Sequence, residues 1–215
     1  MTQDNKDRFE ITLVRHAQST GNAEDRIQGQ NDAPLTPIGI QQAESLGSYW
    51  AVKQISFDLI LTSTQPRARQ TAEIIASKLN LPVHYDEAWK ERAFGNFEGE
   101  TISNLLARNP PPEFFHPYDP VGGEGESLMD LFLRASRAIL DLVFLPPARY
   151  LIVSHGALLN MVLYSILGLS PLNYVRGPRF YFLNTGFSEL TYEPITRVWR
   201  MLSFNQHPHW DKEFD

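Results

Sequence analysis

The sequence predicts an α/β protein, a three-layer α/β/α sandwich on a mostly parallel central sheet. Three observations carry that expectation. Short apolar runs, at Phe9 to Val14, in "SFDLILTST" (56–64) and in "RYLIVSHG" (149–156), alternate with longer stretches of helical period. Strands separated by helices build parallel sheets covered on both faces. The chain has 215 residues, 42% hydrophobic and 20% charged, an ordinary globular mixture that fits a single domain over 1–215.

Phe9 to Val14 reads as a buried strand. "APLTPIGIQQAESLGSYWAVK" reads as a helix, with Thr36 as N-cap and Pro37 at the first helical position, where a missing N–H is harmless. Ile40, Ala43, Leu46, Gly47 and Trp50 recur at steps of three and four and form its inward face. "SFDLILTST" is a second buried strand, and Pro66 opens a second helix with Ala68, Ala72, Ile75 and Leu79 along one side. "LPVHYDEAW" is a short strand and its exit, and "FGNFEG" a turn punctuated by Gly95 and Gly99. Three consecutive prolines and two glycine clusters forbid regular structure over residues 109–125. Long loops usually carry function, and an insertion around 92–125 is expected to cover substrate.

Glu126 to Val143 is an amphipathic helix, with Leu128, Leu131, Phe132, Ala135, Ile139 and Leu142 as its buried stripe. "RYLIVSHG" is a third buried strand, and Ala157 to Leu167 a helix apolar nearly all round, hence well buried. "RFYFLN" (179–184) reads as a strand, at an interface or in the core. "FSELTYE" and "TRVWRMLSF" alternate with period two and close the sheet.

Composition removes several classes of function. A net charge of -6 argues against general nucleic-acid or anionic-membrane binding, so an anion site must be a local basic pocket. The absence of cysteine excludes disulfides, thiolate catalysis and cysteine-based zinc sites. "MTQDNKDRFE" lacks the apolar core of a signal peptide, and no window of 18 uninterrupted apolar residues follows, so a cytoplasmic protein is expected. Arg69 and Arg92 read as solvated surface, His84 and His116 as structural or surface, and the histidines of "HPHW" (207–210) as a terminal tail rather than a metal site.

In parallel sheets, ligands gather at the carboxyl ends of the strands. Here three strands end in Arg15-His16, in Ser63 with Arg67 just beyond, and in Ser154-His155. Arginine forks hold phosphate oxygens bidentately, and a neutral imidazole is a nucleophile that needs no metal. A phosphoryl group held by Arg15 and Arg67 is then open to attack by His16, with His155 donating to the charge on the equatorial oxygens and Asn22 adding a neutral donor. The leaving alkoxide needs a proton, and Glu91 is the best-placed carboxylic acid, with Glu87 and Glu98 nearby.

"LVRHAQSTGN" resembles the signature of the histidine phosphatase superfamily, the phosphoglycerate mutase-like proteins. "RIQGQNDAPLTPIGIQQA", "TSTQPRARQTA", "KERAFGNFEG", "GGEGESLMDLFLRA" and "IVSHG" are similar to its later motifs, in the family's order, from about residue 11 to 156. The resemblance implies a phosphoglycerate mutase-like fold with His16 as the phosphorylated nucleophile. It implies Arg15, Arg67 and His155 as the phosphate pocket, Glu91 as general acid and base, and Asn22 and Gln28 as phosphate or substrate contacts, with Ser63 at the pocket floor. Two departures stand out: Ala17 where the family commonly has glycine, and two extra residues in "GGEGES".

The expected activity is that of a phosphatase hydrolysing a small phosphomonoester through phosphohistidine, without metal or other cofactor. The alternative is phosphoglycerate mutase-type transfer. Cofactor-dependent mutases typically carry an ERHYG-like stretch, whereas this chain has Ala93 and Phe94 after Arg92. The expected partner is a small phosphorylated metabolite, with neither nucleic acid nor membrane, and the chain is expected to be a monomer or homodimer.

Overall fold

The structure, a computed structural model, describes residues 8–110, 112–174 and 176–210. Its centre is a six-stranded sheet in the order β3-β2-β4-β1-β5-β6. The strands are β1 (Phe9–Arg15), β2 (Leu59–Thr62), β3 (Val83–Tyr85), β4 (Arg149–Ser154), β5 (Phe187–Glu193) and β6 (Val198–Gln206). The first four pair in parallel, and β5 and β6 add an antiparallel edge. The helices are α1 (Thr20–Ala23), α2 (Pro37–Val52), α3 (Pro66–Leu79), α4 (Ile102–Leu106), α5 (Leu128–Val143) and α6 (Gly156–Ile166).

The strand alternation decides the layers. Ile11 and Leu13 of β1 and Tyr150 and Ile152 of β4 join the core with α5 and α6. Val14, Leu151 and Val153 point the other way, into a core with α2 and α3 built around Trp50 and Phe57. Strands buried on both faces therefore read as continuous apolar runs.

α2 begins as the sequence requires: Thr36 Oγ1 accepts from Gly39 N at 3.0 Å, with Pro37 at the first position. Ala43, Leu46, Gly47 and Trp50 are buried, but Ile40 is 43% exposed, against expectation. Gly39 and Gln42 occupy the inward phase instead. A side chain at 39 would put Cβ 2.0 Å from Gln18 O, and the Gln42 amide oxygen accepts from Gln18 N at 2.9 Å.

α5 starts at Leu128, not Glu126, because Ser127 and Asp130 close a capping box there. "RFYFLN" forms no strand: residues 179–184 are an irregular segment, and its Phe180 and Phe182 carbonyls accept from side chains instead of a ladder.

The consequence for function is geometric. Arg15 stands opposite Ser154, and Thr62 opposite Val153, in neighbouring parallel strands. The residues that follow, His16, Ser63 and His155, therefore leave the same edge of the sheet side by side.

Candidate active site

At that edge lies a cavity of about 500 Å³. Arg15, His16, Asn22, Gln28, Arg67 and Glu91 line it. His155 is fully buried and absent from the wall, with its ring centroid 5.1 Å from that of His16. All seven sequence-predicted site residues thus come to one place.

His16 is held in one tautomer. Its Nδ1 lies 2.7 Å from Ala17 O, a group that can only accept, so Nδ1 carries the proton. The lone pair is left on Nε2, where Arg67 Nε donates to it at 3.3 Å. Burial, then the charges of Arg67 and Arg15, lowers the imidazole well below the usual 6.5, so the ring is neutral. Ala17 lies outside the residues with positive φ, so its methyl is accommodated at this turn.

Arg67 follows Pro66 in the first turn of α3 and points back under the strand ends. It donates to Asn31 O at 3.0 Å and Gly29 O at 2.8 Å. Burial brings its guanidinium down to about 10, with Glu91 opposing the fall. Arg15 donates to Phe182 O at 2.7 Å, while its buried Nε has no protein partner.

His155 meets Ser63 Oγ through Nε2 at 2.8 Å, and Ser63 Oγ also accepts from Gln65 N at 3.2 Å. His155 Nδ1 is buried without a protein partner. Burial first, then Arg67, His16 and Arg15, holds its imidazole well below 6.5.

The Glu91 carboxylate accepts from Ala157 N and Leu158 N, both at 3.1 Å, and from Arg92 N at 2.8 Å. It thereby caps the N-terminus of α6, whose N-cap residue His155 makes no side-chain cap of its own. Ser19 Oγ lies 2.9 Å from Asn22 Oδ1 and 2.5 Å from Gln28 Oε1, which leaves both amide NH2 groups for the cavity.

Several residues escaped the sequence reading. Arg92 is 1% exposed, not surface. It donates to Glu126 O at 2.9 Å and Phe114 O at 2.7 Å and stacks over Phe94, and burial lowers it to about 10. Arg134 bonds Glu126, Ala88 O, Lys90 O and Glu91 O at once, so it sets the path of the Glu91 loop. A cation between Leu131 and Ala138 on an apolar stripe was the available signal. Asn184, Tyr181 and Phe182 line the cavity from the segment read as a strand. His209 is not a loose tail but 5% exposed. Arg69 and His84 are exposed, as expected. Among the described residues, no group of three or more His, Asp or Glu side chains is arranged to hold a metal ion.

The model of the histidine phosphatase superfamily (branch 1) matches residues 11–206. The chain belongs to the histidine phosphatase superfamily. Within that superfamily it is 32% identical over 200 residues to the uncharacterized phosphatase PhoE of Bacillus subtilis (strain 168), covering 93% of this chain and 95% of the relative. It is 36% identical over 165 residues to the probable phosphoglycerate mutase GpmB of Escherichia coli, covering 75% and 76%. Among solved structures, a phosphoserine phosphatase of Entamoeba histolytica in complex with phosphoserine superposes with TM-score 0.78 at 28% identity, over 94% of this chain and 100% of that one. YhfR of Bacillus stearothermophilus superposes with TM-score 0.81 at 27% identity, over 94% and 98%. No helix among the described residues is long and apolar enough to cross a membrane.

Proposed function

We propose that this histidine phosphatase is a phosphomonoesterase that works through a phosphohistidine at His16 and acts on a small phosphorylated metabolite in the cytoplasm. The observation that carries the reading is the fixed tautomer of His16, whose Nε2 carries the lone pair and accepts from Arg67 Nε in the cavity. Two of the orphaned buried side-chain atoms, Arg15 Nε and His155 Nδ1, belong to this cluster and support it. Unpaired buried polar groups cost roughly 1–3 kcal/mol each, and a phosphate oxygen relieves them.

In the first step Nε2 attacks phosphorus and the P–O bond to the organic group breaks. Arg15 and Arg67 neutralise the charge on the equatorial oxygens, and His155 donates to one of them through Nδ1. The departing alkoxide takes a proton from Glu91. In the second step water yields a proton to Glu91 while its oxygen attacks phosphorus. The P–N bond breaks, the pair returns to Nε2, and inorganic phosphate leaves. Segment 92–125 covers the substrate, with Phe94 and Ile102 contributing to the cavity wall.

Transfer of the mutase kind is the second reading, favoured by the likeness to a probable phosphoglycerate mutase. The cations of the wall favour hydrolysis. Besides Arg15 and Arg67 the described wall carries only Arg26, which is tied to Glu24 at 2.6 Å and Gly99 O at 2.7 Å. A second anionic group therefore finds one further guanidinium, already bonded through Nε and Nη1.

Rapid quench with labelled substrate tests the mechanism. Trapped label should be acid-labile and stable to alkali, and His16→Ala should abolish it and cut turnover by on the order of 10⁴ to 10⁶. Label retained in that variant would move the nucleophile elsewhere. Since arginines and histidines supply the charge stabilisation, turnover should also survive EDTA. Loss restored by a divalent ion would overturn the scheme.

A further inference from the structure

Thr185 adopts φ 55°, in the left-handed region that β-branched residues avoid. It is fully buried, and its N–H donates to Arg15 O at 2.9 Å. Its neighbour Asn184 donates from Nδ2 to His16 O at 2.8 Å and to Asn22 Oδ1 at 3.3 Å. The Asn184–Thr185 turn thus fastens the backbone of the two residues at the heart of the cavity and the amide of a third. Backbone of this kind persists only where its surroundings over-determine it.

The surroundings come from residues 209 and 210. Thr185 Oγ1 donates its one proton to Asn184 O at 2.7 Å. Its two lone pairs accept from Trp210 Nε1–H at 3.0 Å and from His209 Nε2–H at 2.9 Å. A hydroxyl has one proton and two lone pairs, and all three are used. The hydroxyl proton being committed to a carbonyl, His209 must be the donor at Nε2. Its ring lies 6.4 Å from that of Phe187 at 28°, and its carbonyl accepts from Ser45 Oγ on α2 at 2.5 Å. Burial keeps the imidazole neutral by lowering it to about 4.

We propose that His209 and Trp210 are positioning residues for the site. By saturating the Thr185 hydroxyl they lock the left-handed turn, and the turn holds Arg15, His16 and Asn22 in register for phosphoryl transfer. Neither residue belongs to the cavity wall. The inference rests on the phosphatase reading above.

The test is a double-mutant cycle on p-nitrophenyl phosphate turnover, at temperatures well below each melting point. His209→Ala should lower kcat by roughly tenfold with a smaller change in KM, as expected when reacting groups shift by a fraction of an ångström. His209→Gln, whose amide N–H reaches the same hydroxyl, should recover most of that loss. Glycine adopts positive φ without strain. In a Thr185→Gly background, therefore, His209→Ala should have little further effect on kcat. If His209→Ala folds poorly, His209→Phe fills the space without donating and takes its place in the cycle. Native kcat in the donor-less variant, or the same fold-loss in both backgrounds, overturns the inference while leaving the phosphatase reading intact. A native chain without turnover overturns that reading, and this inference with it.

Discussion

One carbonyl oxygen, that of Ala17, decides what His16 can do. It takes the Nδ1 proton and so leaves the nucleophilic pair on the nitrogen facing the cavity. Burial and two guanidinium groups keep the ring neutral. With the imidazole held well below 6.5, His16 stays unprotonated through and below that pH. On the acid side kcat/KM for p-nitrophenyl phosphate should therefore reach half its plateau only well below pH 6.5, in a discontinuous assay from pH 4 to 8. A half-point at 6.5 or higher would mean an ordinary histidine. Glu91 holds three backbone N–H groups as well as facing the cavity, so its two roles need separating. Glu91→Gln should lose turnover heavily on alkyl phosphates, whose alkoxide needs a proton, and much less on p-nitrophenyl phosphate. Equal losses would reduce Glu91 to the cap of α6.

Among the elements, the β3–α5 connection depends on a helix it does not belong to. Arg134 of α5 reaches across to Glu126 at 2.7 Å and to the carbonyls of Ala88, Lys90 and Glu91. This fork fixes where Glu91 meets α6. Arg134→Ala strands those carbonyls and leaves the Glu126 carboxylate with only Ala93 N, in a site about one-fifth exposed. A stability loss of roughly 1–3 kcal/mol in urea unfolding is expected, after allowing for partial solvent access. Turnover should fall with it. By contrast Ser127→Ala, which breaks only the capping box of α5, should cost about 1 kcal/mol and leave kcat near native. Loss of kcat from the cap alone would show that α5 as a whole, not its arginine, carries the effect.

Across the whole molecule, three buried histidines tie stability to pH. His16, His155 and His209 all lie below 6.5 in the fold, the last at about 4. The unfolded chain binds their protons first, so their contribution is complete above about pH 6.5 and is lost as pH falls below it. Each adds a slope of at most about 1.4 kcal/mol per pH unit. Urea midpoints between pH 7 and 5 should decline accordingly, and His209→Gln should flatten the decline by removing one of the three. An unchanged slope in that variant would remove His209 from the account and leave His16 and His155 to carry the decline. The opposite core layer should be separable from chemistry. Trp50→Ala, in the core packed by α2 and α3, should cost about 3–5 kcal/mol and lower the melting point by roughly 6–20 °C, with KM of the folded fraction unchanged.

The sequence by itself determined the alternation of strands and helices, the caps at Thr36 and Pro37, and the arrival of Arg15-His16, Ser63 and Ser154-His155 at strand ends. These are local: periodicity, cap chemistry and the rule that parallel strands share a ligand-facing edge. Tertiary structure decided the rest. Arg92 looks like a surface charge in sequence because charge says nothing of the carbonyls that will surround it. "RFYFLN" carries strand composition, yet its carbonyls meet Arg15 and Asn160, side chains distant in the chain. Ile40 has the right period but the wrong phase, since contact with Gln18 required a glycine and a glutamine inward. His209 reads as a tail until Thr185, 24 residues earlier, supplies the hydroxyl that receives it. Periodicity carries which residues turn inward. It does not carry which distant polar group each buried one will find, because that pairing exists only once the chain has closed on itself.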